Sequence, residues 1–393
     1  MQTIRENLNT PVAFETDVLV AGGGFAGIAA ALSAARNGAK VLLIEKSFML
    51  GGLGTSGLIT IYLPLCDGEG HQVSFSIAEE LLRVSIKHGA EDRYPSAWLN
   101  GGTLEEKIKN RFLVQYNAQS TAILYEQLLR EAGVEILYGT SVCAVKTENQ
   151  KVTHVMTENK SGRQAIKVKS VVDATGDADI FWFANAKTEN FKQGNILAAW
   201  YYYVKDGEFG LQQQGASDVP DKEKTAENAP AQLVNRRFTG LDGKELSEMV
   251  QLSHDFVLNH ALERDRAIAT MATIPQIRMT RRLEGLYVMD DTEMHKEFSD
   301  SVGMFADWRK RGPCYELPFR TLYGKDLKNV IGAGRCISVT DAMWDITRVI
   351  PVCSVTGEAA GLAASMTDDF NTLNVADLQN KLVERGVKLH EDF

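Results

Sequence analysis

The sequence predicts an α/β fold in which helices flank a parallel sheet, and three stretches carry that prediction. Residues 17–45 read as buried strand, glycine turn, alanine-rich helix and second strand. Residues 165–179 read as a strand running into Ala-Thr-Gly-Asp, and 329–366 as a strand followed, after Arg348, by a helix with one nearly bare face. Strands alternating with helices in this way build a sheet whose strands are buried on both faces.

Asp17 to Ala21 is a short apolar run suited to a doubly buried strand, and Val41 to Ile44 is a second. The intervening turn places Gly22, Gly24 and Gly27 in G-x-G-x-x-G spacing. The first glycine makes the tight turn, the second lets the backbone approach a pyrophosphate, and the third lets the helix lie close to the strand. Ala30, one turn later, keeps that contact thin. A dinucleotide's pyrophosphate would rest on the free N–H groups and positive dipole end of the helix. Glu45 closes the second strand roughly 20 residues beyond the glycines, where a carboxylate accepts hydrogen bonds from an adenosine ribose and disfavours a 2′-phosphate. The reading is a Rossmann-like dinucleotide site, with FAD and NAD both still open.

At 393 residues the chain is long enough for two domains or for one large α/β body with an inserted second domain. A formal net charge of -9 without a long basic run disfavours a nucleic-acid surface, which needs clustered Lys and Arg. Cys66, Cys143, Cys314, Cys336 and Cys353 are odd in number, scattered and without a C-x-x-C pair. That pattern favours a reducing compartment and argues against a structural metal site. The first 17 residues carry acids and lack an apolar h-region, so no signal peptide is expected and the protein is expected to be cytoplasmic. Apart from the glycine-broken opening stretch, nothing approaches the ~18 uncharged apolar residues of a membrane span.

Directly after Glu45 and Lys46 comes a loop crowded with Gly51, Gly52, Gly54 and Gly57 around Thr55 and Ser56. An extended FAD, running from adenine towards its isoalloxazine, would pass such a loop; a nicotinamide-binding domain does not need it. Residues 75–92 and 116–131 read as helices, the first with Ile77, Leu81, Leu82 and Ile86 on one face, the second ended by Gly133. Residues 134–138, 141–147 and 151–158 read as a small β-meander. The strand 165–175 then finishes in Gly176 and Asp177, a tight turn at the carboxyl edge of a sheet, where doubly wound folds bind ligands. Asp177 either fixes a cofactor hydroxyl or caps the turn that follows.

The middle of the chain has a different texture. Residues 195–204 read as an aromatic strand with Trp200 and Tyr202 on one face and Tyr201 and Tyr203 on the other. Residues 205–232 read as a polar surface excursion, and 244–263 as an amphipathic helix. A strand over 274–289 would put Arg278, Thr280 and Arg282 on one face and Arg281 on the other. Guanidinium groups flanked by apolar residues suit carboxylates or delocalised anions. In the last third, Pro351 sits near the first turn of a helix, where its missing N–H costs little. Along that helix Gly357, Ala360, Gly361 and Ala364 leave a face suited to backbone-close packing against the opening helix, which would aim its N-terminus into the same crevice. Residues 374–386 read as a capped helix with Leu378 and Leu382 inward.

The segments VAGGGFAG (20–27), LIEK (43–46), GGLGTSG (51–57), VVDATGDAD (171–179), IRMTRR (277–282), YELPFRTLY (315–323) and most of 332–364 occur in this order over nearly the whole chain. Together they resemble the FAD-dependent oxidoreductases of the glutathione-reductase-like, two-dinucleotide-binding-domain superfamily, and more narrowly a large bacterial group of that class. The resemblance implies a discontinuous Rossmann-like FAD-binding domain, 1–190 and 315–393, with an inserted β-rich α+β substrate domain, 191–314, over the flavin. It implies that Gly22, Gly24, Phe25, Ala26 and Gly27 hold the pyrophosphate and that Glu45, with Lys46 beside it, holds the adenosine ribose. Gly51, Gly52, Gly54 and Thr55 would run beside the ribityl chain and flavin, and Val142 would meet adenine through its backbone. Ala174, Thr175, Gly176 and Asp177 would close over the cofactor, while Gly334, Arg335 and Ile350 approach the flavin ring. Met279 stands where relatives often have an acid, so the family's proton handling at that position does not carry over.

The activity so implied is hydride transfer between flavin N5 and a small organic substrate, by a dehydrogenase or a reductase of an activated double bond, with an unidentified electron donor or acceptor. Arg278, Arg282, Arg320 and Arg348 favour an anionic substrate or stabilisation of reduced flavin, and His71, close after the glycine loop, is the remaining catalytic candidate. The alternatives are a flavin-dependent monooxygenase and a non-catalytic flavoprotein with structural or sensing FAD.

Overall fold

A computed structural model describes residues 3–215 and 232–392. Strand β1 (Val12–Ala21) leads through the glycine turn into α1 (Phe25–Arg36), and β2 (Val41–Ile44) returns parallel to β1, with Val18 opposite Val41 and Ala21 opposite Ile44. Every residue of α1 from Phe25 to Ala34 is buried, which is why the helix is uniformly small and apolar instead of amphipathic. Next come β3 (Ile61–Tyr62), α2 (Ile77–Ser85), β4 (Ala90–Asp92), α3 (Ser96–Leu99), α4 (Leu104–Lys109) and β5 (Val114–Tyr116); the three strands form a small sheet of their own. Helix α2 is shorter than its apolar spacing predicts, because Gly89 turns the chain at φ +76° into β4. Helix α5 (Ala118–Glu131) starts on Asn117, whose side chain accepts the Ser120 N–H at 3.0 Å.

The expected meander 134–158 is divided differently. Strand β6 (Glu135–Leu137) lies parallel to β2, with Leu43 opposite Ile136, and forms an edge of the main sheet. The antiparallel meander consists of β7 (Ser141–Glu148), β8 (Lys151–Asn159) and β9 (Gly162–Asp173). Strand β9 is long enough to serve two partners on one side. Its first half pairs with β8, and its last residues, Val171 to Asp173, pair in parallel with Val330 to Gly332.

The middle contains α6 (Asp179–Phe183), β10 (Thr188–Asn190), β11 (Tyr201–Lys205), β12 (Glu208–Gln212), α7 (Gly243–Glu263), β13 (Ala267–Met271), β14 (Arg281–Leu283), β15 (Ser301–Ala306) and β16 (Cys314–Pro318). The aromatic strand begins only at Tyr201; Tyr201 packs with Val257 and Ala261 of α7, whereas Tyr202 stacks on Phe209 at 4.9 Å from the opposite face. Part of the polar excursion is β12, paired with β11, and 216–231 lie outside the described residues. The strand expected over 274–289 is confined to β14. Asn195 takes the place of a partner strand: its Oδ1 accepts the N–H groups of Arg278 and Met279, each at 3.0 Å, and its Nδ2 donates to the Met279 carbonyl at 2.6 Å. Side chains therefore do not alternate as predicted, and Thr280 and Arg281 both reach the Gly176–Asp179 turn.

The C-terminal third supplies β17 (Val330–Gly332), α8 (Asp341–Thr347), α9 (Ile350–Met366) and α10 (Val375–Glu384). Helix α8, not foreseen from the sequence, meets α9 at 91°. Helix α9 lies on α1, where a Cβ on Gly357 would stand 2.2 Å from the Ala26 carbonyl oxygen. One large apolar core joins these two helices to Val302, Phe305, Tyr315 and Trp344. Among the described residues no single helix is long and apolar enough to cross a membrane.

Candidate functional site

The carboxyl ends of β1, β2, β9 and β17 open into a crevice of about 710 Å³, a size typical of cofactor sites. Its floor is the glycine turn, where the glycines divide by role. Gly22 has φ +105°, and a Cβ on Gly27 would lie 1.8 Å from the Gly22 carbonyl oxygen, so this pair is needed to bring α1 onto the sheet. Gly24 has an ordinary φ of -70°, and a Cβ there would meet nothing within 4 Å. Its missing side chain instead leaves room in the crevice at the N-terminus of α1, which has neither a side-chain cap nor an acid in its first turn. A pyrophosphate fits that cradle, since the helix end offers N–H donors and positive potential. The second glycine loop is tied alongside by the Gly51 N–H, which donates to the Gly23 carbonyl at 2.8 Å.

At one end of the crevice lie Glu45, Lys46, Ser47, Ser141 and Val142. The Glu45 carboxylate accepts from the Gly23 N–H at 2.7 Å and from the Ser47 N–H and hydroxyl at 2.8 Å each. It thus braces the turn while lining the site. Phe25, Ala26, Gly51, Gly52, Gly54, Ala174, Thr175, Gly176, Asp177, Gly334, Arg335 and Ile350 line it as well. Gly27 and Thr55 do not; Gly27 packs on Gly22, and the Thr55 hydroxyl is turned to the Leu50 carbonyl.

Asp177 does not cap the turn after β9. Asp173 does, accepting from the N–H groups of Ile180 at 2.9 Å and Phe181 at 3.3 Å and from the Thr175 hydroxyl at 2.7 Å. Asp177 accepts from the Thr280 hydroxyl at 2.7 Å and faces Arg335 at 3.7 Å. Arg335 also donates to the carbonyls of Ile277 and Arg278, at 2.8 and 3.0 Å, so it ties the middle of the chain to the floor. Asp179 pairs with Arg281 at 2.8 Å; burial first, then the neighbouring Asp177 and Asp173, push its carboxyl up to about 6.

Of the five catalytic candidates only Arg348 reaches the crevice. Its guanidinium donates to Asp345 Oδ1 at 2.6 and 3.0 Å, and Asp345 also pairs with Arg309 at 3.2 Å. The charge expected to stand free at the start of α9 is therefore already neutralised. Arg282 pairs with Asp341 at 2.9 Å over the Trp344 ring, and Arg278 bonds Gln276 and lies over Trp200; both stand behind the lining. His71 pairs with Asp67 at 2.8 Å in a loop outside the crevice, and Arg320 pairs with Asp300. Sequence reasoning missed the wall opposite the glycines: Leu246, Ser247, Val250, Gln251 and His254 of α7, with Ile274, Pro275 and Ile277. The signal was the helical spacing of those five α7 residues, masked by the deeper apolar face of Met249, Val257 and Ala261.

A family model described as FAD dependent oxidoreductase matches residues 17–199 and 192–382. Glutathione reductase of Schizosaccharomyces pombe is 27% identical over 210 residues, covering 52% of this chain and 38% of that protein. Vinyl phenol reductase of Lactiplantibacillus plantarum is 29% identical over 187 residues, covering 41% and 37% respectively. The chain thus spans less than half the length of these two curated relatives. Among solved structures, a geranylgeranyl bacteriochlorophyll reductase-like protein of Thermoplasma acidophilum aligns with a TM-score of 0.46 at 16% identity, covering 95% of this chain and 84% of that one.

Proposed function

Because the chain belongs to the FAD dependent oxidoreductase family, an enzyme family with FAD as its cofactor, we propose that it transfers a hydride between the flavin and a small organic substrate in this crevice. The observation that carries the reading is the pairing of two unlike walls: a backbone floor at Gly22–Gly27 and Gly51–Gly54, and a side-chain wall from α7 and 274–277. In this reading residues 191–314 act as the substrate domain. Bound FAD supplies the centre that accepts or gives the hydride.

The chain's own groups hold and orient. Gly24 and the first turn of α1 take the pyrophosphate, Glu45 the ribose, and Val142 the adenine, while Arg335 fixes the spacing between floor and wall. The N-terminus of α9 presents partial positive charge to the flavin ring, worth roughly 0.3 to 1 kcal/mol for the reduced form. Reduction of an activated double bond is supported by the relative named for a vinyl phenol. All five cysteines are free, and no C-x-x-C pair exists. Those free thiols favour a reducing compartment, and we place the enzyme in the cytoplasm.

The test is an anaerobic screen in which metabolites are added to oxidised holoenzyme, and acceptors to dithionite-reduced holoenzyme, while the flavin absorption band is followed. At least one small organic molecule is expected to bleach or restore the band within seconds. When the reduced holoenzyme is then mixed with oxygenated buffer, fast reoxidation only as an aromatic compound is hydroxylated would instead overturn the hydride-transfer reading.

A further inference from the structure

We infer that the substrate half of the crevice takes an uncharged, largely apolar molecule with a single hydrogen-bonding group, such as a phenol or an enone, and not an anion. The inference rests on the hydride-transfer reading above. It follows from where the charges around the crevice are already spent. The lining guanidinium groups are Arg335, bound to two carbonyls and facing Asp177, and Arg348, bound twice to Asp345. Arg281 and Arg282, adjacent in sequence, pair with Asp179 and Asp341. Lys46, next in sequence to Glu45, also lines the crevice and acts on the Asp179 carboxyl, lowering the upward shift that burial gives it.

The wall itself, among the described residues, brings no Asp, Glu, Lys or Arg to the crevice. Its apolar part is Leu246, Val250, Ile274, Pro275 and Ile277. The charged residues of α7 are turned elsewhere: Glu245 accepts from Thr239 and from the Gly240 N–H, and Glu248 pairs with Arg236. Ser247, Gln251 and His254 lie on the same stripe, each one helical turn from the next, and give an apolar body one polar edge to meet. A carboxylate carried to this wall would lose its hydration without gaining a cation, whereas a neutral hydroxyl or carbonyl finds a donor or acceptor.

The test compares neutral probes with anionic ones on purified holoenzyme. Binding is read as perturbation of the oxidised flavin spectrum, with 4-vinylphenol set against 4-vinylbenzoate and cyclohexenone against fumarate. The neutral member of each pair is expected to bind at least about tenfold more tightly. Val250→Arg, or Gln251→Lys should the first variant fold poorly, is expected to raise 4-vinylbenzoate affinity at least about tenfold by supplying the missing cation. Carboxylates binding as tightly as their neutral partners to the unaltered enzyme, or no binding by either neutral probe, overturns the inference. Neutral probes that bind with this preference but never exchange electrons with the flavin leave the inference standing and refute hydride transfer to this class of molecule.

Discussion

A Cβ on Gly361 would lie 2.0 Å from the carbonyl oxygen of Ala30, so α1 and α9 touch backbone to backbone. Gly361→Ala must push the helices apart, at a cost of about 1–3 kcal/mol or more in a core this tightly packed. Because both helices end at the crevice, FAD should be lost along with stability. Urea unfolding of the apoprotein and FAD titration measure the two effects; an unchanged urea midpoint would contradict the contact.

The neighbouring glycine motif separates binding from folding. Gly24→Val projects into open crevice and should leave the apoprotein within about 0.5 kcal/mol of wild type, while FAD affinity falls at least about a hundredfold. Gly27→Ala should destabilise the apoprotein itself, since its Cβ would sit 1.8 Å from the Gly22 carbonyl oxygen. Thermal melts of the two apoproteins and flavin fluorescence titrations distinguish them.

Glu358 of α9 caps another helix, accepting from the Ser76 hydroxyl at 2.6 Å and the Ile77 N–H at 3.1 Å at the start of α2. Burial pushes its carboxyl from an ordinary 4.5 up to about 7. Folding therefore favours the protonated acid: its contribution is fully present below about 4.5 and is lost as pH rises through about 7. Glu358→Gln keeps the shape and cannot ionise, so the variant should lose this pH slope and gain stability relative to wild type above neutrality. Melting curves between about pH 5 and 8 test this; parallel pH profiles for the two proteins would count against it.

Arg348 and Asp345 offer an electrostatic test. Arg348→Met leaves Asp345 without this cation and should move the flavin midpoint potential to more negative values, Asp345→Asn leaves the guanidinium unbalanced and should move it to more positive values, and the charge-neutral double replacement should shift it least. FAD content should stay near wild type in Arg348→Met. Spectroelectrochemical titration of the three holoenzymes decides the matter, and a double variant shifted as far as Arg348→Met would refute the pairing argument.

The parts of the site written in contiguous residues were legible in the sequence. Gly22 and Gly27, with the small face of Gly357 and Gly361, record steric demands at single backbone positions that leave glycine little competition, whereas Gly24 records room left in the crevice. The arginine segment was misread because its backbone partner is one side chain, Asn195, more than 80 residues earlier, and no alternation survives around such a clamp. The charges of Arg348 and Arg282 were misjudged for a related reason: their carboxylates, Asp345 and Asp341, lie on α8, a short helix whose turn onto α9 no local pattern announces. The α7 wall was hidden because a helix with two occupied faces looks merely amphipathic. Strand β6 read as meander because parallel pairing with β2 is set by a crossover through α5, which leaves no mark on three residues.

The seating of α1 on α9 also orders events at the ribosome. Phe25–Arg36 leaves the exit tunnel long before Ile350–Met366 has been made, and at about 5–20 residues per second the interval lasts tens of seconds. During that time the face of α1 that Gly357 and Gly361 will cover stands open, although Glu45 and Gly51 already hold the turn at Gly23. A nascent chain stalled before α9 therefore leaves that face of α1 uncovered and lacks Ile350 and Cys353 of the crevice lining.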